Sequence, residues 1–187
     1  MIMDLMLKNW PVNMWIQTPM DMIHSIVTKN DVDPDKIKLI EISPFIPNRS
    51  EDSPADGYDS MVAAQFSIPF CMAMYLKGPK VGTAWLEEEY LKDPEILKMA
   101  SKVKGIGEKS LISSNFAKFQ EGSYPSYAMR VTMEDGTVYE EAIQFPKGHP
   151  QNPYTRQECI DCFKLATGGL MSEEKQDVLC DYILRCV

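Results

Sequence analysis

Histidine is scarce in this chain: His24 and His149 are the only two among 187 residues. The scarcity narrows the choice of groups able to move a proton near neutral pH and leaves little from which to build a metal centre. Cations are thin as well. Nineteen Lys and Arg against 27 Asp and Glu give a formal charge of −8, and the basic residues are scattered, which excludes a nucleic-acid surface because phosphate binding needs them clustered. No apolar run reaches the roughly 18–20 residues of a membrane helix, and Met1 to Met6 carries Asp4 where a signal peptide would be basic. The expectation is a cytoplasmic protein that meets neither membrane nor nucleic acid. The chain also lacks G-x-G-x-x-G, a Gly-Lys-Thr phosphate loop, a G-x-S-x-G elbow, iron–sulfur spacing and an EF-hand pattern. Gly105-Ile106-Gly107 reads as a turn, and Ser67 has no sequence-near His and Asp set, so nucleotide cofactors and nucleophilic serine chemistry find no support.

What is present suits one folded domain spanning residues 1–187, with 44% hydrophobic and 25% charged residues. The five cysteines, Cys71, Cys159, Cys162, Cys180 and Cys186, are odd in number and fall mostly in apolar helical patterns, which predicts free buried thiols. Cys159 and Cys162 form a C-x-x-C inside a helical stretch. Packing is the main reading for the pair, with zinc or disulfide chemistry as the alternative. Thirteen methionines fill core gaps or an apolar contact surface.

Local patterns predict the elements. Thr18-Pro19 offers an N-cap and a first-turn proline for a helix over about 18–30, with Met22, Ile23, Ile26 and Val27 as its apolar stripe. Lys36 to Ile42 alternates as a strand with one buried face. Pro44 to Asp59, with three prolines and Arg49, reads as a long mobile loop able to close over a ligand. Ser60 to Leu76 is too long and apolar for a strand and predicts one buried helix bent near Pro69, ended by Gly78. Asp93-Pro94 starts another helix, with Ile96, Leu97, Ala100 and Val103 facing inward. Glu134-Asp135-Gly136-Thr137 between alternating runs, Tyr127 to Met133 and Val138 to Phe145, is a hairpin signal. Two helices close the chain, about Thr155 to Thr167 and Ser172 to Cys186, divided by Gly168-Gly169. A hairpin with helices that do not alternate regularly with strands predicts an α+β fold: an antiparallel sheet packed against helices.

Taken in order, six segments resemble the C-terminal domain of the MmgE/PrpD family, whose best-known members are 2-methylcitrate dehydratases. They are Lys8-Asn9-Trp10-Pro11, Asp35-Lys36-Ile37, Ala64-Gln65-Phe66-Ser67-Ile68-Pro69-Phe70, Asp93-Pro94, Asp135-Gly136 and Gly148-His149-Pro150-Gln151-Asn152-Pro153. The resemblance covers nearly the whole chain. It implies a cofactor-independent lineage acting on small polycarboxylates by dehydration, decarboxylation or epimerisation. It also implies a dimer or other homo-oligomer, and an active site shared with a large helical N-terminal domain that has no counterpart in these residues. The resemblance therefore assigns this chain the smaller half of a dehydratase-like lyase or isomerase that needs a separate helical domain. The alternative is a catalytically silent dimerisation or ligand-binding module of the same descent.

The same resemblance nominates Lys8 as the cation that holds a substrate carboxylate. It puts Gln17 where the family pattern has a histidine and Phe70 where it has a tyrosine. Glutamine hydrogen-bonds but does not exchange a proton near neutral pH, and phenylalanine lacks the hydroxyl that orients or protonates. Of the two histidines, His24 reads as a partly buried structural residue on its helix and His149 as exposed in a turn. Asn152-Pro153 shapes the turn before the last helices.

Overall fold

The computed structural model describes residues 5–44, 54–107 and 126–185, with the side chains of residues 83 and 184 left aside. Arg49, most of the Pro44–Asp59 loop and Cys186 lie outside the described residues. Among the described residues six α-helices, α1 (Gln17–Asn30), α2 (Met61–Ala64), α3 (Ile68–Lys77), α4 (Pro94–Ala100), α5 (Arg156–Thr167) and α6 (Glu173–Leu184), accompany four strands, β1 (Ile37–Ser43), β2 (Val103–Gly105), β3 (Tyr127–Met133) and β4 (Val138–Ile143). The sheet order is β2-β1-β3-β4. It is mostly antiparallel, as the α+β expectation requires. One pair departs from it, since β1 and β2 run parallel with Ile40 opposite Val103.

Alternation builds the sheet. Tyr127, Met129, Val131 and Met133 of β3 are buried while Ala128 and Arg130 face out, and Ile37, Ile40 and Ile42 of β1 share the inner face. Lys36 stays outside β1 because Pro34–Lys36 forms a 3₁₀ turn capped by Asp33. On the inner face α1 packs against β3, β4 and α3, and α3 packs against α4 and β2. Met20, Met22, Ile23 and Ile26 from α1 meet Phe70, Cys71, Met72 and Met74 from α3, all at most 2% exposed. Burying side chains of this size contributes about 1.5–3 kcal/mol each, and α1 and α3 are fixed by that burial more than by propensity.

Four sequence expectations are corrected. The single bent helix over Ser60–Leu76 is two helices. Ser67 caps α3 by accepting from Phe70 N, which places Pro69 in the first turn, where proline is tolerated and no kink results. Thr18 is not the cap of α1: a 3₁₀ turn, Met14–Ile16, runs straight into the helix, and Asn13 caps that turn instead. Val103 is a strand residue, because α4 ends at Ala100. Among the described cysteines Cys71 alone is buried, while Cys159 is exposed and Cys162 and Cys180 are intermediate.

The α5–α6 hairpin is constructed differently. Thr155 caps α5 with a complete capping box to Glu158, and Ser172 caps α6. No apolar residue described in either helix is buried. The pair is closed by Gln176, 3% exposed, whose Nε2 donates to Lys164 O at 3.1 Å and to Thr167 Oγ1 at 2.8 Å.

Candidate functional site

The start of the described chain meets the turn that precedes α5. Residues 5–13 form an irregular strap lying between α1 and the turn at Gly148. Leu7 N donates to Gly148 O at 3.0 Å, and Gly148 N donates to Asn152 O at 3.0 Å. Gly148 has φ +85°, and a Cβ there would lie 2.1 Å from Leu7 O and 2.8 Å from Tyr154 Cε2. Only glycine admits both the backbone angle and that approach. Asn152 Nδ2 donates to Phe145 O at 3.1 Å, so this asparagine shapes the turn, as its sequence context predicts.

From α1, Gln17 and Asp21 hold the strap. Gln17 is fully buried. Its Oε1 accepts from Asn9 N at 2.9 Å and Trp10 N at 3.0 Å, while its Nε2 donates to Trp10 O at 3.0 Å and Val12 O at 3.3 Å. Asp21, one turn further on, accepts at Oδ1 from Trp10 Nε1 at 2.7 Å and Asn9 Nδ2 at 3.3 Å, and at Oδ2 from Lys147 N at 2.6 Å. Asp21 thus ties strap, helix and the Gly148 region together. Its signal in the sequence was its spacing of four from Gln17, which puts both on one helix face.

Lys8 is exposed, and its ammonium donates to Val12 O at 3.0 Å, the same carbonyl that Gln17 reaches. Lys8 and Gln17 are therefore brought together. Phe70 is placed elsewhere. It is 2% exposed in the core, edge-to-face with Tyr58 at 5.0 Å between ring centroids, and the Tyr58 hydroxyl pairs with Ser67 Oγ at 2.7 Å. The loop over α2 joins the two regions through Asn13 N donating to Gln65 O at 3.1 Å.

His24 is exposed, a correction to the partly buried reading. Its Nδ1 lies 2.8 Å from the Tyr75 hydroxyl. Its ring stands edge-on to Trp10 at 5.5 Å, and Trp10 in turn lies against Tyr75 at 5.5 Å and Trp85 at 6.4 Å. Burial pushes the Tyr75 hydroxyl pKa up, so it stays a neutral phenol. His149 is half-buried and stacks on Phe145 at 4.6 Å, with Nδ1 accepting from Gln151 N at 3.1 Å. Burial lowers its pKa.

The ionic partner of the turn is Lys147, whose Nζ lies 2.8 Å from Glu158 Oε2. That contact, with the Thr155 amide and hydroxyl, lowers the Glu158 carboxyl to about 2. Cys162 Sγ is 3.9 Å from Asn9 Oδ1, and burial raises its thiol pKa above the usual value, the reverse of a reactive cysteine. Among the described residues no group of three or more His, Cys, Asp or Glu is placed to hold a metal.

Two solvent-open clefts lie apart from these residues. One, about 740 Å³, runs between Lys80–Ala84 and the α5–α6 hairpin and mixes Lys80 and Lys164 with Asp161 and Glu173. The other, about 520 Å³, lies on the outer sheet face beside Arg130, Glu140 and Glu141. Neither is lined by Lys8, Gln17, His24 or Phe70. Mixed charge gives neither cleft an anion preference, so the chemistry of the strap outweighs their size.

Residues 10–184 match the family model described as the MmgE/PrpD C-terminal domain. The chain belongs to the MmgE/PrpD family. No curated protein matches it. In this MmgE/PrpD chain the Lys8–Pro11 and Gly148–Pro153 segments, two of those that carried the resemblance, are far apart in sequence and meet where the strap touches the Gly148 turn. No helix among the described residues is long and apolar enough to cross a membrane.

Proposed function

We propose that this domain supplies the smaller wall of a site for a small polycarboxylate in a dehydratase-like lyase or isomerase, and that a helical domain outside these residues must cover it. The observation that carries this reading is the convergence of the Lys8 strap with the Gly148 turn on the Gln17–Asp21 face of α1. An exposed ammonium on a strap held by buried hydrogen bonds is a fixed cationic anchor, and the two donors it does not give to Val12 O suit a carboxylate. The unpartnered apolar residues of α6 support the need for a cover: Val178 is 63%, Tyr182 71% and Ile183 52% exposed. Clustered exposure of this kind marks an interaction surface. The reading puts the protein in the cytoplasm without cofactor.

Gln17 favours a second reading. Its amide is spent on the strap, so the position where the family pattern has a histidine acts structurally here, as in a catalytically silent binding or dimerisation module. Mixing the chain with a helical MmgE/PrpD domain and following loss of water from 2-methylcitrate or citrate separates the two. The lyase reading expects turnover that Lys8→Ala removes. Turnover indifferent to Lys8→Ala contradicts the anchor, and citrate bound without turnover by the mixture supports the binding module.

A further inference from the structure

Gln17, Asp21 and His24 are spaced by four and three residues, so they line one face of α1. The first two are committed: both ends of the Gln17 amide and both Asp21 oxygens are engaged by the strap and Lys147 N. His24 is the next group along, exposed, with Nδ1 held by Tyr75 and the ring wedged edge-on against Trp10. Tyr75 also stands edge-on to the His24 ring at 5.7 Å. Such a cradle fixes the imidazole and leaves Nε2 as the ring nitrogen outside the pair.

We propose that His24 is the proton-transferring residue of the polycarboxylate site and Tyr75 its positioning residue, two turns along the helix face from the position where the family pattern has a histidine. The inference rests on the polycarboxylate reading above. With Nδ1–H donating to the Tyr75 oxygen, Nε2 carries the lone pair. In a dehydration, Nε2 takes the proton from the carbon beside a substrate carboxylate, and the C–H electron pair enters the enolate. That pair then forms the new C=C bond as the neighbouring C–O bond breaks. The imidazolium returns its proton to the departing oxygen, so water leaves and neutral His24 is restored. Among the described residues, the groups facing His24 are the Tyr75 hydroxyl from α3 and the Trp10 ring from the strap, with the Asp21 carboxylate behind the Trp10 indole.

Two histidines make the test direct. Citrate is titrated into the full, isotope-labelled chain mixed with a helical MmgE/PrpD domain while the imidazole ring signals are followed by NMR, with His24→Gln identifying the His24 signals. The expected result is that citrate moves the His24 signals. His24→Gln weakens citrate binding by up to about tenfold, the loss of one hydrogen bond that Nε2 accepts from the citrate hydroxyl. Tyr75→Phe, which frees the His24 ring, weakens citrate binding about threefold and reduces the citrate-induced movement of the His24 signals, a readout that a merely structural tyrosine leaves alone. His24 signals indifferent to citrate overturn the proposal. If citrate binding survives His24→Gln but is lost in Lys8→Ala, His24 is wrong and the polycarboxylate reading stands; if citrate binds nowhere, both fall.

Discussion

In the body of the domain, Ile16, Met20, Ile23, Ile40 and Met72 are wholly shielded from water; in the α5–α6 hairpin, Leu170, Val178 and Tyr182 are 70%, 63% and 71% exposed. One region is held by apolar burial. The other is held by caps, a buried glutamine and an ion pair between Lys164 and Asp177. The body therefore folds on contacts these residues provide, whereas the hairpin carries an apolar surface with nothing from the described residues against it. The strap belongs with the body: it is fixed by hydrogen bonds to α1, while Lys8 at its edge stays in water.

The largest effect should separate the two regions. Ile40→Ala, which empties a core position, is expected to cost about 2–5 kcal/mol in urea unfolding, and Tyr182→Ser within about 0.5 kcal/mol. A Tyr182→Ser penalty as large as that of Ile40→Ala would break the comparison, because the hairpin face would then be packed within this chain. Next, Gln17→Ala leaves the amides of Asn9 and Trp10 without their acceptor. It should cost about 1–3 kcal/mol and raise the solvent exposure of Trp10, read by fluorescence. Gly148→Ala meets Leu7 O and a left-handed φ, so a loss of about 1–3 kcal/mol with release of the strap is expected.

A smaller effect is confined to acid. Glu158 is held at about 2 against an ordinary 4.5, first by Lys147. A depressed carboxyl contributes stability that is present above its unfolded pKa and lost as pH falls through the folded one. Wild type should thus lose this contribution between about pH 4.5 and 2, and Glu158→Gln should show a shallower acid transition in that window; identical transitions would remove Glu158 from the hairpin's support. The smallest expected effect is at Thr18, whose Oγ1 is buried with no partner. Thr18→Val should be neutral or stabilising by about 1 kcal/mol in thermal unfolding, and a clear loss would mean that the hydroxyl is satisfied after all.

Much of the fold was legible because its signals are local. Period-two alternation announced β3, Asp135-Gly136 the hairpin, Asp93-Pro94 the start of α4, and Gly168-Gly169 the break between the last two helices. Errors came where one residue type has two meanings by position: Pro69 starts a helix instead of bending one, and Thr18 is overruled by the 3₁₀ turn before it. The MmgE/PrpD motifs were legible as a series, yet their meeting was not, because Leu7 and Gly148 are far apart in sequence and only tertiary packing joins them. Asp21 went unread for a similar reason. Its contacts come from the strap that lies over α1, and helical spacing from Gln17 was the one hint.

On the proposed reading, these residues provide a fixed anchor and half a pocket, active only when covered by a helical domain. The decisive measurement is turnover of 2-methylcitrate by the purified 187-residue chain, alone and after addition of such a domain. No turnover alone and its appearance on mixing are expected; turnover by the chain alone would contradict the reading.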